Sequence, residues 1–321
     1  MEETEHTVIL DTGADNSWEE SVSDYAQEKD RSEKYLEDYP DVFADITNNL
    51  LLKKKIIREE QLIPGPTESI YKAEGGEALK EQRRDVCKYV QDAGIIVSMI
   101  GLENQSKQDG DMPFRIMGYD YGSYRGQIVK GKERYPVLSS VLYFGKQPWT
   151  RPLTLKTLFD LPAGFEQVFA DYHVNLIDVP RLSEEDRSRL TSDFKAVADF
   201  FANRDKPDYQ PSRQKLKHVE AVLQLLRVFT RDKRYEEIED EIMKSVENGE
   251  EASMCEFAER MEQRGIAKGI TQGISQGISQ GIRGAAAILK DMGIADAEIE
   301  QRVAEKFAVS EEEVGKYLQG K

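Results

Sequence analysis

Two different periods of apolar residues follow each other in the first half of the chain. From Asp41, the segment DVFADITNNLLLKKK has apolar residues at helical spacing and predicts a first helix. RRDVCKYV alternates and contains β-branched and aromatic residues. The nearly continuous apolar run IIVSMIGLENQ is typical of a central strand that is buried on both faces. The polar QDAG between them indicates a turn, so the two segments predict a hairpin.

Further elements follow in an order that predicts the fold class. MPFRIMGYDYGSYRGQIVKG is typical of a long helix that begins near Pro113, and YPVLSSVLYFG and HVNLIDV are typical of strands. From Ser183, a helix-capping residue, to about Glu247 the pattern is helical throughout. This order predicts an α/β fold with a mixed sheet flanked by helices and a C-terminal helical extension.

A tandem repeat stands out near the C-terminus. Residues 265–282 read GIAKGITQGISQGISQGI, with Gly and Ile at every fourth position. Each Gly costs a helix about 1 kcal/mol relative to Ala, so the segment would be weak as an isolated helix. It could still pack closely against a partner, or it could be an expanded linker, and the sequence leaves both open. The residues after it are typical of two short helices, and a helix-turn-helix there would lack base-reading side chains.

These patterns predict five regions. They are an acidic tail at 1–38, an α/β core at 39–182, a helical region at 183–262, the Gly-Ile repeat segment at 263–284 and a small helical appendage at 285–321.

Composition excludes several kinds of site. Two cysteines and three histidines are too few for a disulfide scaffold or a Cys-rich zinc site, and no histidine pair has metal-ligand spacing. No phosphate-binding glycine loop is present. The apolar runs are too short for a membrane span, and the acidic N-terminus is unlike a secretory signal. We therefore expect a cytoplasmic protein without a membrane partner.

The charge of the chain is unevenly distributed. The net charge of −16 argues against a nucleic-acid partner at first sight. Residues 1–45, however, contain 15 acidic and 3 basic residues, whereas residues 46–135 contain 13 acidic and 15 basic ones. The acidity is thus concentrated ahead of the predicted core, and DNA remains an eligible partner.

The sharpest chemical feature is the set Asp85, Glu103 and Gln105 on the predicted hairpin. Glu103 and Gln105 share a face because strand residues alternate. With a four-residue hairpin loop Asp85 would face away from Glu103, whereas an odd loop or a bulge puts all three on one face. We predict the odd register, in which two carboxylates could share a Mg²⁺ ion that activates water. Spacing alone favours another interpretation, in which Asp85 is a surface residue on the hairpin and Glu103 caps the next helix.

The chain resembles a known family in the order and spacing of five segments. They are FADITN (43–48), RRDVCK (83–88), GLENQS (101–106), MPFRIMGYDYGSY (112–124) and VLYFGKQPW (141–149). Together they resemble the Rpn family of recombination-promoting nucleases, also labelled putative transposases, in the PD-(D/E)XK nuclease superfamily. The C-terminal Gly-Ile repeats are also similar.

The resemblance implies a restriction-endonuclease-like core with a divalent metal, Mg²⁺ or a similar cation. It implies that Asp85 and Glu103 are the metal ligands and that Gln105 takes the place of the usual lysine. An acidic residue on the first helix often completes such sites, and Asp45, with Asp41 behind it, is the candidate. A helix-face contact of Asp45, for example with Asn48, is equally compatible with the sequence.

Basic residues near these carboxylates are candidates for DNA contacts. Arg115 could bind a phosphate or could pair with a site carboxylate. The run Lys53, Lys54 and Lys55 could contact the DNA backbone or simply be a solvated helix end.

Three functions are compatible with the sequence. The first is a divalent-metal-dependent DNA endonuclease. The second is a decayed nuclease fold that acts as an interaction module and forms a homo-oligomer through residues 265–282. The third is an enzyme that acts on another phosphodiester, such as RNA. The first requires the carboxylates to lie within reach of one metal ion, and the second predicts that they are splayed apart or filled in by neighbouring side chains.

Overall fold

A computed structural model describes residues 36–71, 80–129, 131 and 134–318 of the chain. Two compact units are present, Met1–Phe257 and Ala258–Lys321. The acidic tail predicted at residues 1–38 lies outside the described residues except for 36–38. The candidate site belongs to the first unit.

Within the described residues, seven strands and nine α-helices form these units. The strands are β1 (Leu62–Pro64), β2 (Glu68–Tyr71), β3 (Lys80–Arg83), β4 (Val86–Asp92), β5 (Ile95–Gln105), β6 (Val137–Tyr143) and β7 (Asn175–Asp178). The helices are α1 (Pro40–Ile46), α2 (Met112–Val129), α3 (Glu184–Arg189), α4 (Phe194–Asn203), α5 (Val219–Thr230), α6 (Arg234–Glu247), α7 (Met254–Asp291), α8 (Asp296–Phe307) and α9 (Glu311–Leu318).

A five-stranded mixed sheet in the order β1-β4-β5-β6-β7 is the centre of the first unit. β1, β4 and β5 are antiparallel neighbours, whereas β6 and β7 continue parallel to β5. The long connection from β5 to β6 contains α2, as a parallel crossover requires. The sheet, its flanking helices and the C-terminal helices confirm the predicted α/β class.

The β4–β5 hairpin turns through two residues, Ala93 and Gly94, both with positive φ. Its pairing shifts by one residue, because Val90 pairs with Ser98 while Gln91 pairs with Ile96, so that Val97 is an extra residue. Such a β-bulge changes which residues of the two strands face each other. The bulge produces the register that the sequence analysis predicted, and its consequence appears at the far end of the hairpin.

Helices cover both faces of the sheet. On one face, Met112, Ile116 and Tyr119 of α2 pack against Val141 of β6 and Val174. On the other face, the buried ammonium group of Lys88 lies 5.7 Å from the ring centroid of Phe43 of α1. Glu103 and Gln105 belong to the α2 face, because Glu103 pairs with Val141, and Asn104 belongs to the α1 face.

A buried ion pair joins the start of the hairpin to α2. Arg84 donates to Asp120 at 2.6 Å, and their side chains are only 2% and 6% exposed. Asp120 also accepts hydrogen bonds from Ser139 Oγ at 2.6 Å and from the Tyr172 hydroxyl. Gly101 leaves the room that Arg84 needs, since a Cβ there would lie 3.0 Å from its Cδ. This network fixes α2 to the strand that contains Glu103.

The helical pattern after Ser183 contains a break. Ser183 caps α3 by accepting a hydrogen bond from the backbone N–H of Asp186, as predicted. Residues 190–193 then leave the helix before α4 begins, because Asp45 accepts hydrogen bonds from the backbone of Thr191 and Ser192. The range from Ser183 to Glu247, predicted to be helical throughout, thus contains four separate helices, α3 to α6.

The repeat segment is helical throughout, inside α7. Ile266, Ile270 and Ile274 are each more than half exposed. In the second unit Ile282 and Ala286 form a core with residues of α8 and α9, such as Ile299. No helix in the described residues has both the length and the apolar character that a membrane span requires.

Candidate active site at the ends of β4 and β5

Asp85 and Glu103 come together at the end of the hairpin that lies opposite its turn. Val86 pairs with Leu102, so the same register puts Asp85 opposite Glu103. Asp85 is in a bend directly before β4, and not in the strand itself as the sequence analysis predicted. Its Oδ2 accepts a hydrogen bond of 2.7 Å from the backbone N–H of Asn104. The backbone of β5 thereby holds the Asp85 carboxylate at the strand end.

Glu103 is buried, with a side chain only 4% exposed. Its Oε1 accepts hydrogen bonds from Arg115, from the Tyr119 hydroxyl at 3.4 Å and from Gln105 Nε2 at 3.3 Å. Its Oε2 is buried without a hydrogen-bond partner among the described residues. Burial, helped by the nearby Asp85 carboxylate, raises the pKa of Glu103 to about 8 despite the Arg115 charge. The charged form of Glu103 is therefore disfavoured, and its Oε2 is left to accept a bond from a ligand.

Arg115 pairs with this carboxylate. Its guanidinium contacts Glu103, Asp109 at 3.0 Å and the Tyr119 hydroxyl at 3.2 Å. Burial lowers the pKa of Arg115, but Glu103 and Tyr119 more than reverse this and raise it above its usual value. Of the two roles that the sequence allowed for Arg115, the structure has the ion pair with a site carboxylate. Tyr119 packs in the core between α2 and the sheet, and its hydroxyl also hydrogen-bonds to Glu103.

Glu37 is a third carboxylate that sequence reasoning missed. It lies three residues before α1 and is fully buried. Its Oε2 accepts a 3.0 Å hydrogen bond from Asn104 Nδ2, and its Oε1 is buried without a partner in the described part of the chain. Burial, with a contribution from Asp85, raises the pKa of Glu37 well above its usual value. Its only sequence signals were the apolar Leu36 beside it and Pro40 at the helix start.

Asp45 is not part of the site, contrary to the sequence analysis. Its carboxylate is buried and accepts hydrogen bonds from the backbone N–H groups of Thr191 at 2.9 Å and Ser192 at 2.8 Å. The hydroxyl groups of both residues and Asn49 Nδ2 also donate to it. Asn49, rather than Asn48, is its helix-face partner. The reason is the direction of the side chain, because this face of α1 meets the segment between α3 and α4.

The Asp41 carboxylate is also bound by residues other than those of the candidate site. It accepts a hydrogen bond from Lys217 at 2.8 Å and contacts the ring of His218 at 3.0 Å. Burial raises the pKa of Asp41, but these two partners outweigh it and lower the pKa below its usual value. Asp41 thus joins α1 to the start of α5.

Replacing Asp45 by alanine is expected to lower the free energy of unfolding by about 2–4 kcal/mol, because two backbone donors lose a charged acceptor. Chemical denaturation followed by circular dichroism measures this change. Asp296→Ala, at a helix start where the side chain is 59% exposed, serves as the control and should cost less than about 1 kcal/mol. An Asp45 variant of unchanged stability would contradict the structural role.

The basic run before β1 is only partly free for DNA. Lys53 has a positive φ and forms an ion pair of 2.5 Å with Asp186. Lys54 and Lys55 are exposed. Nothing in the structure places these three lysines at the carboxylate site, and their DNA contact remains a prediction.

The chemistry available at the site follows from its donors. Asp85 and Glu103 offer the oxygen ligands that Mg²⁺ prefers, and a protein usually supplies one or two carboxylates to this ion. Among the described residues, no group of three or more His, Cys, Asp or Glu could hold a metal ion. The unpartnered buried Oε2 of Glu103 fits a cation, whereas the ion pair at Oε1 competes with one. Gln105 is neutral, so it can orient a water molecule but cannot act as a base.

Comparison with known proteins agrees with the resemblance drawn from the sequence. No curated protein matches the chain, and no solved structure matches it. One protein family, described as "Putative transposase, YhgA-like", matches a segment that contains Asp85, Glu103, Gln105 and Arg115. The match covers residues 79–204, from β3 to the end of α4, so this segment is similar to the YhgA-like putative transposase family.

Proposed function

We propose that the protein is a divalent-metal-dependent DNA endonuclease with Asp85, Glu103 and Gln105 at its catalytic centre. One observation supports this above all: the hairpin register brings Asp85 opposite a buried Glu103 that keeps an oxygen without a partner. Two neighbouring carboxylates repel each other, and burying them destabilises the fold unless a cation binds to them. The transposase-family segment agrees with DNA as the partner.

Mg²⁺ would be held by Asp85 and Glu103, and when bound it polarises a phosphodiester and activates water. Asn104 fixes Asp85 through its backbone N–H, so this ligand needs no rearrangement. Gln105, hydrogen-bonded to Glu103, would orient the attacking water through its amide. Glu37, joined to Asp85 through Asn104, would add negative charge behind the site and favour a cation there.

Cleavage of plasmid DNA tests the proposal. Purified protein should nick or linearise a supercoiled plasmid with Mg²⁺ or Mn²⁺ and should fail to do so with EDTA. Asp85→Asn should reduce the rate by at least about 10²-fold, as expected for loss of one ligand in a catalytic centre. Asp232→Asn, whose side chain is 25% exposed in the connection between α5 and α6, is the matched control and should cleave normally.

If wild type, Asp85→Asn and the control all cleave equally, the activity is a contaminant and the site assignment fails. A labelled RNA of the same sequence in a parallel reaction separates a DNA enzyme from one that acts on RNA.

The second candidate function is a decayed nuclease fold that works as an interaction module. The observation that favours it is the occupation of Glu103 Oε1 by Arg115, Tyr119 and Gln105, which resembles a filled site. Its partner surface would be the exposed isoleucines of the repeat segment, Ile266, Ile270, Ile274 and Ile278, and its partner a second copy of the chain. Absence of cleavage under every metal condition would favour this function. A cytoplasmic location remains a prediction under both.

A further inference from the structure

Arg115 and Glu103 differ sharply in their surroundings, although they form one ion pair. The Glu103 side chain is 4% exposed and comes from the middle of the sheet, whereas the Arg115 side chain is 36% exposed and extends from the first turns of α2. Only the arginine can leave this pair without disturbing the core.

A second carboxylate is already in place for Arg115. Asp109, in the loop between β5 and α2, is 27% exposed and accepts from the other terminal nitrogen at 3.0 Å. The buried residues that hold α2 against the sheet, Met112 and Ile116, do not depend on Arg115. A guanidinium that leaves Glu103 therefore keeps a counter-ion and leaves the helix packed.

A cation that approaches Glu103 competes with Arg115 for the same carboxylate. Two positive charges a few ångströms apart at a buried group repel each other strongly. By thermodynamic linkage, the factor by which the ion pair weakens cation binding equals the factor by which a bound cation weakens the ion pair.

We propose that Arg115 is a displaceable counter-ion of Glu103, which pairs with this side chain in the metal-free chain and is expelled from it when a divalent cation binds. This inference rests on the proposed function, because it needs a cation at Asp85 and Glu103. It makes Arg115 a positioning residue that tunes the affinity of the site for metal.

Mn²⁺ titration of the full chain by calorimetry tests the inference without any measurement of cleavage. Arg115→Met removes the charge but keeps most of the side-chain volume, and Mn²⁺ should bind about fivefold more tightly or better. Arg115→Lys keeps the charge and should bind Mn²⁺ within about twofold of wild type, since a purely electrostatic competitor is restored. Arg227→Met, which breaks a similar pair with Glu239 of 3.4 Å in the helical region, should leave the affinity unchanged.

The outcomes separate this inference from the function on which it rests. Tighter binding by Arg115→Met, or binding by this variant alone, supports the displaceable counter-ion. If wild type binds Mn²⁺ and Arg115→Met binds it equally or more weakly, Arg115 does not compete and the inference is wrong, while the proposed function stands. If neither protein binds Mn²⁺, both are wrong. Thermal unfolding of each variant by circular dichroism verifies that it is folded before titration.

Discussion

Asp120→Asn is expected to lower the free energy of unfolding of the first unit by about 3–5 kcal/mol, the usual cost of breaking a buried ion pair from one side. Asparagine has the same shape but leaves Arg84 as a buried charge with a neutral partner, and Arg84 is only 2% exposed. The Arg84 Nε already lacks a hydrogen-bond partner among the described residues, so no hydrogen bond at Nε offsets the loss of the Asp120 charge. Ser139 and Tyr172 lose a charged acceptor as well.

Urea denaturation followed by tryptophan fluorescence measures this loss, because Trp149 packs beside the same α2 core. Glu185→Gln makes the same chemical change in an exposed pair with Arg189, where the glutamate side chain is 74% exposed, and it should cost less than about 1 kcal/mol. If both substitutions cost the same, the network around Asp120 is not what fixes α2 to the sheet.

Glu103→Gln is expected to have opposite effects on activity and on stability. Cleavage should fall by at least about 10²-fold, because an amide is a poor ligand for a hard cation. In EDTA at pH 8, however, the variant should be more stable than wild type by up to about 4 kcal/mol, because the pKa of Glu103 is raised by burial and each pKa unit is worth about 1.4 kcal/mol. The site would then cost stability in exchange for function.

The pH dependence of this difference follows from the raised pKa. Below about pH 4.5 Glu103 is protonated in both the folded and the unfolded chain, so glutamate and glutamine variants should be equally stable. As the pH rises towards 8, the unfolded chain releases this proton and the folded chain keeps it, so wild-type stability falls. Above about pH 8 the difference is constant.

Denaturation curves in EDTA at pH 4.5, 6 and 8 measure this trend, with Glu298→Gln as the control at an exposed ion pair whose glutamate is 47% exposed. A wild-type chain that becomes more stable relative to Glu103→Gln as the pH rises would show that Arg115 outweighs burial at this carboxylate.

Strands and crossover could be predicted from the sequence because their patterns are local. The apolar run of β5 and the helical spacing of α2 each identify an element almost to its ends. The odd register that brings Asp85 to Glu103 was predicted, although spacing alone also allowed the even register. A bulge at Val97 decides it, and no residue type announces a bulge.

Residues whose partners are distant in the sequence could not be assigned in advance. The family resemblance implied Asp45 as a ligand, but its backbone N–H donors lie 146 and 147 positions away, and helical periodicity does not indicate which element a face will meet. Glu37 belongs to a strongly acidic stretch whose composition conceals one buried carboxylate. Arg83 and Arg84 look alike in the sequence, yet it is Arg84 that fills the space beside Gly101.

The bulge makes the candidate active site depend on the register of the hairpin as well as on the residues that it contains. Val97 is exposed and has no role in the proposed mechanism, yet it sets whether Asp85 and Glu103 face each other. A chain that lost this one residue would keep every carboxylate, amide and arginine of the centre and would still have them on opposite faces of the sheet. The length of the hairpin is therefore as much a part of this site as the side chains, and comparison of relatives by residue identity alone would miss it.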